Sequence, residues 1–360
     1  MLTALAGVPV SAEAQANQAV TTYTYVPLGW LGVPAGGPHS EATDVNMSRQ
    51  VVGYSSNDRN PAAHAFFFQD GRLEPVDSIY LPGENTATSI NDSGHIAGYT
   101  HVSFTDPPHA FIRRDGKTID LGTGWGSGSG SAAHAINNKG VAVGQRHKSA
   151  GNPTRPVMWK DGRIHDLGTL GGVAGQAGMN LGRAYDINDK NQVVGESLPS
   201  TGYTLHGFLW ENNRMTDLGT LSAGSTKDTV AQAINEKTQI TGWSPNAANN
   251  ATAFLWEAGS MRALGTLPGG TRSYGYDINE PGQVVGISYV SDNPYGQRAF
   301  LWQNGQMTDL NTVVTNLPPD VSLSEAYAIN DDGVIVGQTC YYCEPGKTAD
   351  QHAYMLVPNS

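Results

Sequence analysis

Cysteine is nearly absent from this 360-residue chain, which has only Cys340 and Cys343, spaced as Cys-Tyr-Tyr-Cys. A thioredoxin-type redox pair would need a βαβ setting, and zinc two further ligands at regular spacing; the sequence offers neither. In an exported protein the pair reads as a local disulfide closing one loop, and otherwise as two free thiols. Charge is also sparse, at 15% of residues, with 32 Asp and Glu against 21 Lys and Arg. No basic cluster occurs, which excludes nucleic-acid binding by phosphate neutralisation. Apolar runs are too short for a membrane-spanning helix. The chain lacks a Gly-x-Ser-x-Gly elbow, a His-Glu-x-x-His pair, a phosphate loop and a dinucleotide fingerprint, so no cofactor is expected. The first basic residue is Arg49. Residues 1–20 therefore lack the positive start of a secretory signal, although the apolar Leu2 to Val10 and the small Ala12, Ala14 and Ala16 resemble its latter half and cleavage site. They read as signal-like or as a disordered Ala-rich tail, and secretion or a periplasmic location is the expectation.

What is abundant is glycine, 44 residues, with 20 prolines. That composition suits many short strands joined by tight turns. A small-x-x-(Ile/Val)-Asn segment recurs seven times, ending at Asn46, Asn91, Asn137, Asn188, Asn235, Asn279 and Asn330. Such a period belongs to propeller blades. Each copy continues into a β-branched run closing on Gly (Gln192 to Gly195, Val334 to Gly337), then an aromatic strand such as His206 to Trp210, then a segment usually ending in Asp-Leu-Gly, as at Asp217 to Gly219. Four strand-like segments per unit is what a blade requires. Asn-x-x-Gly joins the first two strands, and Asp-Gly, Asn-Asn or Asn-Gly pairs such as Asp70-Gly71 join the last two, both hairpin signals. The last unit stops after His352 to Leu356, while Thr21 to Leu31 supplies a spare strand. The expected fold for residues 21–360 is thus an all-β, seven-bladed β-propeller of four-stranded antiparallel blades, its ring closed by the N-terminal strand completing the last blade.

Over roughly residues 23–358 the chain resembles the HAF-repeat extracellular bacterial proteins, on the His-Ala-Phe triplets His64 to Phe66 and His109 to Phe111 and on the Ile-Asn-Asp and Asp-Leu-Gly elements. The resemblance implies the repeat type and an extracellular setting but no agreed common activity. Pro156-Val157-Met158 and Thr252-Ala253-Phe254 depart from the triplet, so its His is dispensable and does not form a catalytic ring.

In an up-and-down blade the tight hairpins share one face, and the second-to-third and fourth-to-first connections share the other. The second face holds the long stretches Ser55 to Ala63, Arg146 to Arg155, Gly168 to Gly182, Ser288 to Gln297 and Thr339 to Gln351, and binding residues concentrate on such loops. Three residues before the repeated Ile/Val every copy is Ala or Gly, which places those positions where the blades converge on the axis. The flanking positions differ between blades and gather at the channel mouth. They include His134, Tyr185, Gln232, Tyr276 and Tyr327 on one side of the small residue, and Glu41, Arg183, Tyr274 and Glu325 on the other. This set suits a sugar, by stacking and hydrogen bonding, with Arg183 facing a carboxylate or sulfate; alternatively the tyrosines only pack between blades. Asp44, Asp186 and Asp277 beside the Ile/Val suggest a calcium site, but the Asn-x-x-Gly turns are too short for an EF-hand-like loop and suffice as hairpins.

Three functions follow. The first is a secreted, monomeric module binding a glycan or small molecule. The second is a lyase of acidic polysaccharides, with Arg183 or Gln232 on the uronate, His134 or a tyrosine as base, and Tyr185, Tyr276 or Tyr327 as acid. The third is a glycoside hydrolase using Glu41 and Glu325.

Overall fold

A computed structural model describes residues 21–359 apart from 33–37, 58–59, 80–83, 102–105, 150–152, 172–180, 292–295 and 342–350. The chain folds as a seven-bladed β-propeller, seven four-stranded antiparallel sheets in which consecutive strands pair in order. The blades are numbered here by their innermost strands, Pro38–Val45, Glu84–Ile90, Gly130–Ile136, Gly182–Ile187, Val230–Ile234, Arg272–Ile278 and Val321–Ile329. The last sheet takes its outermost strand, Tyr23–Gly29, from the start of the chain, where Tyr25 pairs with Leu356. The seam expected from the sequence is present, and Tyr23, 1% exposed, anchors it. No helix of the described residues is long and apolar enough to cross a membrane.

Apolar side chains form seven separate clusters, one at each blade-to-blade interface. The aromatic of the third strand dominates them: Phe66, Phe111, Phe208, Phe254, Phe300 and Tyr354 are fully buried. The repeated tryptophans Trp159, Trp210 and Trp302 are likewise buried at these interfaces.

Each innermost strand carries a β-bulge at one repeated position, Thr43, Thr88, His134, Tyr185, Gln232, Tyr276 and Tyr327. A bulge leaves one residue unpaired and re-aims its side chain. It also pushes the preceding backbone toward the second strand, which explains the Gly that closes every β-branched run. A Cβ on Gly195 would stand 2.0 Å from the Arg183 carbonyl oxygen, and one on Gly242 1.9 Å from that of Val230. The repeated Ala or Gly beside the bulge is small for a different reason from the expected one. It does not face the axis: Ala42, Ala87, Ala133, Ala184, Ala231 and Ala326 are wholly buried in the interface clusters. A Cβ on Gly275, their counterpart, would stand 2.4 Å from Thr241 Oγ1 of the preceding blade.

The hairpins form as their residues dictate. Asp70-Gly71, Asp115-Gly116, Asp161-Gly162, Asn212-Asn213 and Asn304-Gly305 all have positive φ at both residues, the geometry that matches strand twist. Blade 5 has the same turn built from Ala258 (φ +50°) and Gly259. The stretch Ser55 to Ala63, expected as a loop, is largely strand, since Val51–Asn57 and Asn60–Gln69 nearly meet.

Candidate functional site at the channel mouth

The repeated Asn holds the ring together. Each side-chain amide donates to the backbone carbonyl of the next Asn, from Asn46 to Asn91 (3.0 Å) and onward until Asn330 returns to Asn46 (3.0 Å). Its Oδ1 meanwhile accepts backbone N–H groups of its own turn, as at Asn188 from Lys190 and Gln192, both 3.0 Å. One step further out, Asp92 Oδ1 accepts the Met47 N–H and Asp331 Oδ1 that of Glu280, so side chains after the Asn also link blade to blade. These two layers surround a depression of about 230 Å³ on the tight-turn face, with residues from all seven blades.

Just above the Asn layer lie Asp44, Asp186 and Asp277. Each bridges two blades, its Oδ1 accepting the N–H of its own following residue and its Oδ2 that of the next blade's Ile90, Ile234 or Ile329, at 2.7–2.9 Å. Burial pushes Asp44 up to about 7 and Asp186 to about 6, and Asp277 is also well raised by burial, in spite of these donors. The oxygens are spent on backbone, which is the work these carboxylates do.

Above them the bulge layer begins as inter-blade stapling. Thr43 and Thr88 hydroxyls reach the Ala87 and Ala133 carbonyls of the next blade at 2.9 and 3.0 Å, and His134 Nδ1 lies 2.8 Å from the Ala184 carbonyl. That contact makes Nδ1 the protonated nitrogen, and burial lowers the imidazole pKa to about 4. His134 stacks on Tyr185 with ring centroids 5.6 Å apart, and the Tyr185 hydroxyl donates to Glu196 Oε1 at 3.0 Å. Arg183 Nη1 lies 3.8 Å from the same oxygen. The structure thus unites His134, Tyr185 and Arg183 around Glu196, a residue of the second strand.

A second group forms where blades 6, 7 and 1 meet. Glu41 accepts the Tyr54 hydroxyl at 2.7 Å, and Glu325 the Tyr276 hydroxyl at 3.4 Å; Tyr276 stacks on Tyr327 at 5.5 Å. Burial, joined by the neighbouring Glu325, pushes Glu41 up to about 7 against the Tyr54 bond. Glu325 is raised by burial too. Tyr274 builds an edge-to-face aromatic wall with Trp243 (5.3 Å) and Tyr289 (5.9 Å), which meets the second group where Trp243 packs edge-on against Tyr276 (6.4 Å). Gln232 makes no side-chain hydrogen bond among the described residues.

Tyr54, Glu196 and Trp243 are the partners the sequence reading missed. All three directly follow the Gly that ends the β-branched run, a position that differs between blades (Tyr54, Tyr99, Gln145, Glu196, Trp243, Ile287, Gln338). The comparison of repeats that singled out the innermost strand, applied one strand outward, finds them. Two buried polar atoms in this region have no hydrogen-bond partner among the described residues: Gln145 Oε1 in blade 3 and Arg183 Nε in blade 4.

The two outer motifs prove to be one unit. The triplet His109 and His206 hold Asp120 and Asp217 of Asp-Leu-Gly at 2.9 and 2.8 Å, and those aspartates accept the Gly122 and Gly219 N–H groups. Arg155 faces Asp166 and Arg298 faces Asp309 at the same place in blades 3 and 6, at 3.7 and 4.0 Å, so arginine takes the place of the histidine there. Much of the long-loop face, including 150–152, 172–180, 292–295 and 342–350, and the signal-like residues 1–20 lie outside the described residues. Cys340 is disulfide-bonded, and the sequence has one other cysteine.

Among solved structures the chain is similar to a puromycin-hydrolyzing peptidase from Mycobacterium tuberculosis (12% identity, TM-score 0.57, 92% of this chain and 54% of that one). It is also similar to an acylaminoacyl peptidase from Pyrococcus horikoshii (9%, 0.49, 88% and 52%) and a protein of unknown function from Dyadobacter fermentans (10%, 0.45, 94% and 99%). The chain spans about half the length of the two peptidases, and likeness at these identities shows the fold alone. No curated protein matches the sequence. A family model described as protein of unknown function (DUF3466) matches residues 172–357, and the chain belongs to that family.

Proposed function

We propose that this propeller is an exported binding module that holds an acidic glycan, or a similarly hydroxylated acidic small molecule, at the long-loop mouth of its channel. The observation that carries the reading is the pair of unsatisfied buried atoms, Gln145 Oε1 and Arg183 Nε, on neighbouring blades. A buried donor and a buried acceptor without partners each cost free energy, and a ligand carrying both hydroxyl and carboxylate groups satisfies both. The half-buried Trp243, Tyr274 and Tyr289 in blades 5 and 6 continue the same arc and suit the apolar face of a sugar ring. The disulfide at Cys340 supports export. The lyase roles fit less well, because His134 and Tyr185 are committed to Ala184 and Glu196.

Calorimetric titration with uronic-acid oligosaccharides tests the proposal. Saturable binding that Arg183→Ala and Trp243→Ala each weaken at least tenfold is expected; binding that ignores both substitutions sinks it.

One observation favours the hydrolase as second reading. Glu41, pushed up to about 7 by burial with Glu325 beside it, is about half protonated at neutral pH, which leaves a proton that a leaving oxygen can accept. Reducing-sugar release lost in Glu41→Gln would establish it, and binding without turnover would leave the module.

A further inference from the structure

On the tight-turn side, away from the channel mouth, a cleft of about 450 Å³ opens between blades 2 and 3. Its lining is amphipathic: Ile112, Ile119, Leu121 and Trp159 form the apolar part, and the cations Arg114, Lys139 and Lys160 line it together with the carboxylates Asp120 and Asp161. Trp159 is only 4% exposed, yet its indole N–H meets no acceptor among the described residues. Ile119 is among the few exposed large apolar side chains, at 40%. Arg114 and Lys160 make no hydrogen bond or ion pair among the described residues, in a chain whose formal net charge is -11. A buried orphan donor within an apolar wall, flanked by unpaired cations, is an arrangement that folding alone leaves unsatisfied.

A cleft of about 610 Å³ lies at the same place between blades 5 and 6, lined by Leu255, Arg262 and Trp302, so the groove belongs to the repeat and what sets the blade 2 to blade 3 copy apart is its floor. There Ala97 stands where the other six blades have Val or Thr, Ala142 where they have Val or Ile, and Val157 where they have Phe or Tyr. All three belong to the blade 2 to blade 3 cluster, which is therefore filled with smaller side chains than the other six. Here Trp159 lies over a floor of small residues.

We infer that this cleft is a second binding site, for a small molecule with a flat apolar body and one anionic group: the body against Ile112, Leu121 and Trp159, an oxygen accepting the indole N–H, and the anion beside Arg114 and Lys160. The size is within the range of small-ligand pockets, and the mix of an apolar wall with few polar groups is typical of them. The site is independent of the channel.

The probe is 2-naphthoate, titrated into the ¹⁵N-labelled full chain while the seven tryptophan indole signals are followed. Trp159→Phe identifies its signal by deletion. A saturable movement of that signal is expected, with 2-naphthylmethanol binding several-fold more weakly. Arg114→Ala with Lys160→Ala should weaken the naphthoate about tenfold and remove most of its salt dependence. In Trp159→Phe, followed by the naphthoate's own resonances, loss of one hydrogen bond weakens binding roughly fivefold. Arg183→Ala must titrate as the parent protein does, which separates this site from the channel mouth. A Trp159 signal that stays still at saturating probe, or a double Arg114 and Lys160 variant that binds as tightly as the parent, overturns the inference.

Discussion

Asn188→Asp separates two accounts of the repeated asparagine. If Asn188 only closes its hairpin, Asp serves as well, because either side chain accepts the turn's N–H groups through Oδ1. The structure assigns it more: all four hydrogen-bonding positions of the amide are used, with Oδ1 accepting from Lys190 and Gln192 and Nδ2 donating to Gln192 Oε1 at 2.7 Å and to the Asn235 carbonyl at 3.1 Å. Asp keeps the first pair and turns the second into oxygen facing oxygen. Two lost hydrogen bonds cost about 2 kcal/mol, and a buried acceptor without a donor about 1–3 kcal/mol more, giving roughly 3–5 kcal/mol. That is a large share of the 5–15 kcal/mol or so that holds a typical protein folded. Asn246 provides the control. It closes the same kind of turn, with Oδ1 accepting from Ala248 and Asn250, but its Nδ2 donates to the Thr252 hydroxyl, which can rotate to become the donor. Urea unfolding at neutral pH, followed by tryptophan fluorescence, should show Asn188→Asp several kcal/mol less stable and Asn246→Asp within about 0.5 kcal/mol of the parent. Equal costs for the two would refute the closed amide ring as a source of stability.

Two further outcomes follow from the same structure. Folded Asp44 and Glu41 titrate near 7 and Asp186 near 6, above the value of about 4 for unfolded carboxyls, so their contribution is complete below pH 4 and is lost as pH rises through 6 to 7. His134, lowered to about 4, acts in the opposite sense between 4 and 6.5 but is one group against three. Thermal unfolding should therefore come at a higher temperature at pH 5 than at pH 8, with Glu41→Gln reducing the difference; a midpoint that rises toward pH 8 contradicts the assignment. Ala258, at φ +50° where blades 1 to 4 and 6 place Asp or Asn, strains its hairpin. Ala258→Asn should stabilise by about 1 kcal/mol, and an unchanged urea midpoint would show the turn to be unstrained.

What the sequence determined by itself was whatever one repeat encodes locally. The seven Asn-ending segments fixed the number of blades, the Gly, Asp and Asn pairs fixed the hairpins, and the unfinished last unit with its spare N-terminal strand fixed the seam. Comparison of the repeats also picked Arg183, Tyr274 and Glu325 out of the scaffold, because residues the fold dictates recur and these do not. Only the tertiary structure decided which atoms meet. The Asn amides close a ring through partners 44 to 51 residues apart along the chain, with the seam link spanning 284. The small Ala beside each bulge faces a neighbouring blade, not the axis, and the triplet His serves the Asp-Leu-Gly carboxylate. Glu196, Tyr54 and Trp243 join the site from the second strand. These pairings depend on the bulge and on the angle between adjacent sheets, which exist only once the ring has closed, so no pattern within a single repeat specifies them.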